Sequence, residues 1–111
     1  MPASRSSAIV VLVTSPTAAQ ARRLADALVR QRAAACVNLV PGIRSLFWWQ
    51  GKVDQARETL LIIKTTRRRF EPLRRLVRRL HPYEVPEIIA LPIGQGHPPY
   101  LRWIEKSVHR R

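Results

Sequence analysis

One cysteine, Cys36, stands in 111 residues. A single thiol cannot close an internal disulfide or build a cysteine-only metal cluster within one chain. Glycine is also scarce, with four residues too scattered to cradle a phosphate. Long apolar runs are missing. The longest uncharged stretch, residues 6–21, is continuously apolar only over 8–13, far short of the ~20 residues that span a bilayer. Thr14, Ser15 and Pro16 interrupt it too early for a signal-peptide core. The expectation is a cytoplasmic protein with no membrane partner. No serine nucleophile elbow, metalloprotease histidine pair or phosphate-binding loop is present. His81, His97 and His109 lie in unrelated contexts, so the chain reads as a non-enzyme. Acids are the scarcest charge. Seven Asp and Glu face 20 Lys and Arg, for a net charge of +13. Seventeen of the cations are Arg, so that charge does not titrate in any useful range.

What is there reads as one globular domain over residues 8–111, after a flexible tail over 1–7. Residues 8–13 are apolar and largely β-branched, the pattern of a buried strand. Thr14 or Ser15 then caps a helix with Pro16 at its first position. Ala18, Ala21, Leu24, Ala25, Leu28 and Val29 give that helix an apolar stripe. Residues 34–49 and 52–66 form a long hairpin, bulged at Pro41-Gly42 and turning at Gln50-Gly51. Thr65 or Thr66 caps a second helix, apolar at Phe70, Leu73, Leu76, Val77 and Leu80 and ending at His81-Pro82. Residues 87–93 are expected as a final core strand. Pro98 and Pro99 open a last helix with Leu101, Ile104 and Val108 on one face. The first six elements match the split βαβ pattern: an α+β, ferredoxin-like antiparallel sheet, here with an extra C-terminal helix. Two right-handed crossovers put both early helices on one sheet face. One C-terminal helix cannot cover the other face, so a partner subunit is expected there.

Three stretches carry a resemblance: Ala34-Ala35-Cys36-Val37-Asn38, Trp49-Gln50-Gly51-Lys52 and His81-Pro82-Tyr83-Glu84-Val85-Pro86-Glu87. Leu61-Ile62-Ile63-Lys64-Thr65 and Tyr100-Leu101-Arg102-Trp103 join them in the same order. Over about residues 8–108 the chain resembles the CutA divalent-cation tolerance family. The resemblance implies a homotrimer joined through sheet edges and the long hairpin. It also implies a binding or signalling role in tolerance of copper and other divalent metals, without an established catalytic reaction. A copper site of that family resembles one built from a cysteine, either that of Ala-Ala-Cys or one near the end of the first strand, and a histidine pair just before Pro-Tyr. Here Val13 and Leu80 stand at two of its positions, and Cys36 and His81 remain.

Three groups of residues are candidates for function. Cys36, His81 and Glu84 offer thiolate, imidazole and carboxylate, a set that suits copper or another divalent cation if the fold brings them together. No cofactor is expected to be obligatory. Phe47, Trp48, Trp49, Lys52, Lys64 and Tyr83 would line a cleft between subunits or plug the interface itself. Arg67, Arg68, Arg74, Arg75, Arg78 and Arg79 belong to a run of seven Arg in thirteen residues. That stripe would face polyanions, binding them weakly and without sequence preference. It supports an alternative reading as a polyanion- or nucleic-acid-binding module. No segment carries the base-stacking pattern of an RNA-recognition sheet.

Overall fold

The computed structural model describes residues 7–109. Of the expected tail over 1–7, residues 1–6 lie outside the described residues. Ser7 is tied down: its carbonyl accepts from the Arg67 backbone N–H at 2.9 Å, and its hydroxyl donates to Glu105 at 3.1 Å.

The chain runs β1 (Ala8–Ser15), α1 (Ala18–Arg30), β2 (Cys36–Trp49), β3 (Lys52–Thr66), a 3₁₀ turn (Arg67–Arg69), α2 (Phe70–Leu80), β4 (Ile88–Pro92) and α3 (Pro98–Val108). The four strands form one sheet in the order β2-β3-β1-β4, and every neighbouring pair is antiparallel. This is the split βαβ arrangement expected from the element order.

Alternation decides which face each strand residue meets. Ile9, Val11 and Val13 of β1 and Leu61 and Ile63 of β3 pack against Ala21, Leu24 and Leu28 of α1 and Leu73, Leu76 and Val77 of α2. Burying each of the larger side chains contributes about 1.5–3 kcal/mol. Thr65 continues the β3 row, and its hydroxyl donates to the Ala33 carbonyl at 2.7 Å. That bond is why Thr65 does not cap the next helix. Thr66 stands at the start of the 3₁₀ turn, again without a side-chain cap bond. At α1 the cap is Thr17, three residues beyond Thr14, and its side chain accepts from the Gln20 N–H at 3.1 Å. Pro16 therefore precedes the helix instead of opening it.

The hairpin behaves as expected. The β2–β3 register shifts between Val40 and Ile43, across Pro41 and Gly42. Gln50 and Gly51 both take positive φ, +52° and +78°, the backbone of a tight two-residue hairpin turn. Residues 43–58 form the distal arm of this hairpin, and most of its side chains are exposed.

The opposite sheet face is unequally covered. α3 packs on β3 and β1 and buries Ile104 and Val108 outside the main core. Val10, Leu12, Leu60 and Ile62 are only half-buried on this side. The expected core strand over 87–93 is instead a short edge strand, with Ile89 at 50% exposure and Leu91 at 45%. These face the same way as Leu12 and Val10, their register partners. Leu80, expected on the buried stripe of α2, is exposed at its C-terminal end.

Candidate functional site

His81 ends α2 and is buried, with 8% of its surface exposed. Its Nε2 lies 2.7 Å from the Thr14 carbonyl, which can only accept, so Nε2 carries the proton. Its Nδ1 accepts from the Tyr83 backbone N–H at 3.0 Å. The ring is thereby locked as one neutral tautomer, tilted against the Tyr83 ring at 4.8 Å between centroids. The Tyr83 hydroxyl donates to Glu58 at 3.1 Å, and Glu58 is only 7% exposed. Burial, then this acidic neighbour, raises the Tyr83 pKa above its ordinary value. His81, Tyr83 and Glu58 thus tie the loop after α2 to the end of β1 and to the base of the arm. Glu58 is a residue that sequence reasoning missed. Its only sequence signal is an acid inside a strand, next to Thr59.

Cys36 starts β2 at the other end of the sheet, directly opposite Lys64 of β3. Both reach the Asn38 side chain: Lys64 Nζ donates to Asn38 Oδ1, and the Cys36 thiol donates to the same oxygen at 3.9 Å. Tyr100 of α3 closes over this group, and its pKa is raised by burial and then by Cys36. Asn38 and Tyr100 are two further residues that sequence reasoning missed.

The sequence-predicted metal trio does not assemble within one chain. Cys36 sits at the register of Lys64 and Val10, whereas His81 reaches Thr14, which pairs with Leu60. Four residues of strand separate the two levels, about 13 Å. Glu84 is exposed in the loop after His81. Among the described residues no group of three His, Cys, Asp or Glu could hold a metal ion. His81 is moreover spent, because the lone pair a metal would need is already taken by the Tyr83 N–H.

The aromatic set also divides. Phe47, Trp48, Trp49 and Lys52 sit at the arm tip, and Trp48 is 76% exposed. Trp48 pairs with Val53 on one face of the arm. Phe47 pairs with Asp54, and Trp49 with Lys52, on the other. Tyr83 stands at the arm base. Lys64 lies twelve residues along β3 from Lys52, about 40 Å away. One chain therefore makes no cleft from these residues.

The arginines lie where expected, on the outer surface of the 3₁₀ turn and α2. Arg67, Arg68, Arg75, Arg78 and Arg79 are exposed. Arg74 differs, being held by Glu71 at 2.9 Å. The bond to Arg74 keeps the Glu71 carboxyl below the usual range and raises the guanidinium. Among the described residues no helix is long and apolar enough to cross a membrane.

Comparison with known proteins agrees with this architecture. The family model described as CutA1 divalent ion tolerance protein matches residues 9–107. The divalent-cation tolerance protein CutA of Thermus thermophilus is 51% identical over 98 residues, covering 88% of this chain and 95% of that protein. Mouse protein CutA is 48% identical over 94 residues, 85% of this chain, and the chain spans 53% of its length. Among solved structures, CutA1 from Oryza sativa superposes with a TM-score of 0.92 at 45% identity, covering 96% of this chain and 98% of that one. The Thermus thermophilus divalent cation tolerance protein superposes with a TM-score of 0.89 at 50% identity, covering 90% and 97%. The chain belongs to the CutA divalent ion tolerance family.

Proposed function

We propose that this protein works as a homotrimer without catalytic activity, a binding and signalling component of the cell's response to divalent metals, copper among them. One observation carries the reading. The chain leaves an apolar sheet face and an aromatic arm open, while its chemistry-bearing residues lie at separate ends. Exposed apolar edges and patches call for partners, and a second and third copy supply the matching surfaces. In that assembly an arm tip from one subunit would meet the body of another, and Phe47, Trp48, Trp49, Lys52, Lys64 and Tyr83 would line the junction. The printed names of the relatives, divalent-cation tolerance proteins, support the link to metals. A cytoplasmic setting suits the free thiol of Cys36.

The metal link does not run through a tight site of Cys36, His81 and Glu84. Metal ligation would require freeing the His81 lone pair from the loop backbone. Any copper or zinc binding by these residues is therefore weak and dispensable for folding. Light scattering on the full chain should give three times 12.8 kDa. Calorimetric titration with copper should look alike for wild type, Cys36→Ser and His81→Ala. A stable monomer would end the trimer reading. Tight binding of one copper per chain, lost in both variants, would overturn the metal reading and place the site between subunits.

A further inference from the structure

The helix face carries far more charge than the run on α2 alone. α1 and the segment from Arg67 to Leu80 hold ten arginines against two acids, a net +8 out of the chain's +13. Both acids are spent locally, Asp26 on Arg30 at 2.9 Å and Glu71 on Arg74 at 2.9 Å. These are the ion pairs found among the described residues. The two helices pack against each other. Gln20, Arg23 and Leu24 of α1 line the same small cavity as Leu80, His81 and Pro82. The start of α1 thus lies beside the end of α2. This places the exposed Arg23 beside the C-terminal turn of α2, which carries the exposed Arg75, Arg78 and Arg79. Within α2 those three are spaced i, i+3 and i+4, about 5–6 Å between neighbouring Cβ atoms. This face also needs no protein cover, because it is the opposite sheet face that is left apolar.

We infer that the α1–α2 face is a docking surface for the phosphodiester backbone of duplex nucleic acid. Three features select this partner. The cations are arginines, whose planar forks match phosphate oxygens in pairs. Arg23, Arg75, Arg78 and Arg79 lie on adjoining parts of a two-helix surface, which can lie along a regular array of phosphates. The exposed aromatics are all elsewhere, on the arm, in the loop after α2 and on α3. Without a stacking platform the face does not hold splayed bases, so it selects a duplex over a single strand. It reads no sequence, because phosphate contacts position a protein without specifying bases. This surface is independent of the trimer and of any metal.

The test is fluorescence anisotropy of the full chain with a duplex of roughly 20 base pairs across a salt series. Four phosphates neutralised per site give a slope of log K against log salt of about −4, and a loss of roughly two hundredfold between about 50 and 200 mM salt. The triple variant Arg75→Gln/Arg78→Gln/Arg79→Gln should flatten the slope to about −1 and weaken low-salt binding at least tenfold. The variant Arg44→Gln/Arg102→Gln/Lys106→Gln removes the same charge from other exposed surfaces and should keep the wild-type slope. Light scattering and circular dichroism on both variants should match wild type. If the two variants lose equally, net charge is acting without a patch, and the proposal falls. It also falls if a single strand of the same length binds more tightly than the duplex. Tighter binding to phosphatidylserine-rich vesicles at equal salt would assign the face to lipid instead.

Discussion

The two faces of the sheet are built from the same kinds of residue and end differently. On the helix side, Val11, Val13, Leu61 and Ile63 are fully buried by side chains of the same chain. On the other side, Val10, Leu12, Leu60 and Ile62 stop at half-burial, and Ile89 and Leu91 remain open. Composition cannot account for the difference, since Val, Leu and Ile alternate evenly through β1 and β3. Helix supply accounts for it. Two amphipathic helices, α1 and α2, finish one face, and the single helix α3 finishes one end of the other. The open face is thus what an apolar strand looks like where its own chain supplies no helix to cover it.

The sharpest way to break this comparison is to place charge on the open face. In an isolated chain, Ile89→Lys/Leu91→Lys on an exposed edge strand would be almost neutral. If that face is covered by partner copies, the variant buries two unpaired ammonium groups per subunit, at several kcal/mol each. We expect the triple mass to collapse to 12.8 kDa in light scattering. An unaltered mass would mean that β4 lies outside the subunit contact. The next largest effect sharpens the helix side. Leu61→Ala removes a fully buried side chain from the intrachain core and should cost about 2–5 kcal/mol at any protein concentration. Leu12→Ala, on the same sheet but facing the other way, should lose stability in a way that grows as the protein is diluted. Denaturant melts at two concentrations separate them. Equal concentration dependence in both variants would remove the distinction between the faces.

Most of the fold was legible because periodicity is a local property. Leu24 and Leu28, or Leu73, Leu76 and Val77, declare their helix faces without tertiary knowledge. Pro41-Gly42 and Gln50-Gly51 declare the bulge and the turn through their backbone demands. β4 was misread because Ile88-Ile89-Ala90-Leu91 is equally apolar whether its cover is its own helix or a neighbour. The caps were misplaced because Thr14, Ser15 and Thr17 are chemically equivalent within four residues, and because Thr65 is drawn away by the Ala33 carbonyl. The candidate site was less legible still. That Cys36 and His81 stand apart follows from strand register. That His81 has no free lone pair follows from two backbone groups, Thr14 C=O and Tyr83 N–H, which are not written in side-chain identities. The cationic face was half legible: the run on α2 is visible in sequence, but only helix packing adds Arg23 to it.

The smallest expected effect lies at the seam between the faces, where Tyr83 joins the loop after α2 to Glu58 on β3. Tyr83→Phe keeps the ring against His81 and removes only the hydroxyl and its bond. Because Tyr83 is more than a third exposed, water competes for that bond, and the loss at neutral pH should stay under about 1 kcal/mol. The pH dependence is more telling than the size. Burial and Glu58 raise the folded-state pKa above the ordinary value of 10.0. The fold therefore favours the protonated phenol. Its contribution is fully present below pH 10 and is lost as the pH rises through the raised folded value. Subtracting Tyr83→Phe from wild type cancels Tyr100, which titrates in both proteins. The stability difference should be flat from neutral pH to about 10 and then shrink. A difference that stays flat above that point would mean the hydroxyl is solvated in the folded protein, and that the loop is held by His81 alone.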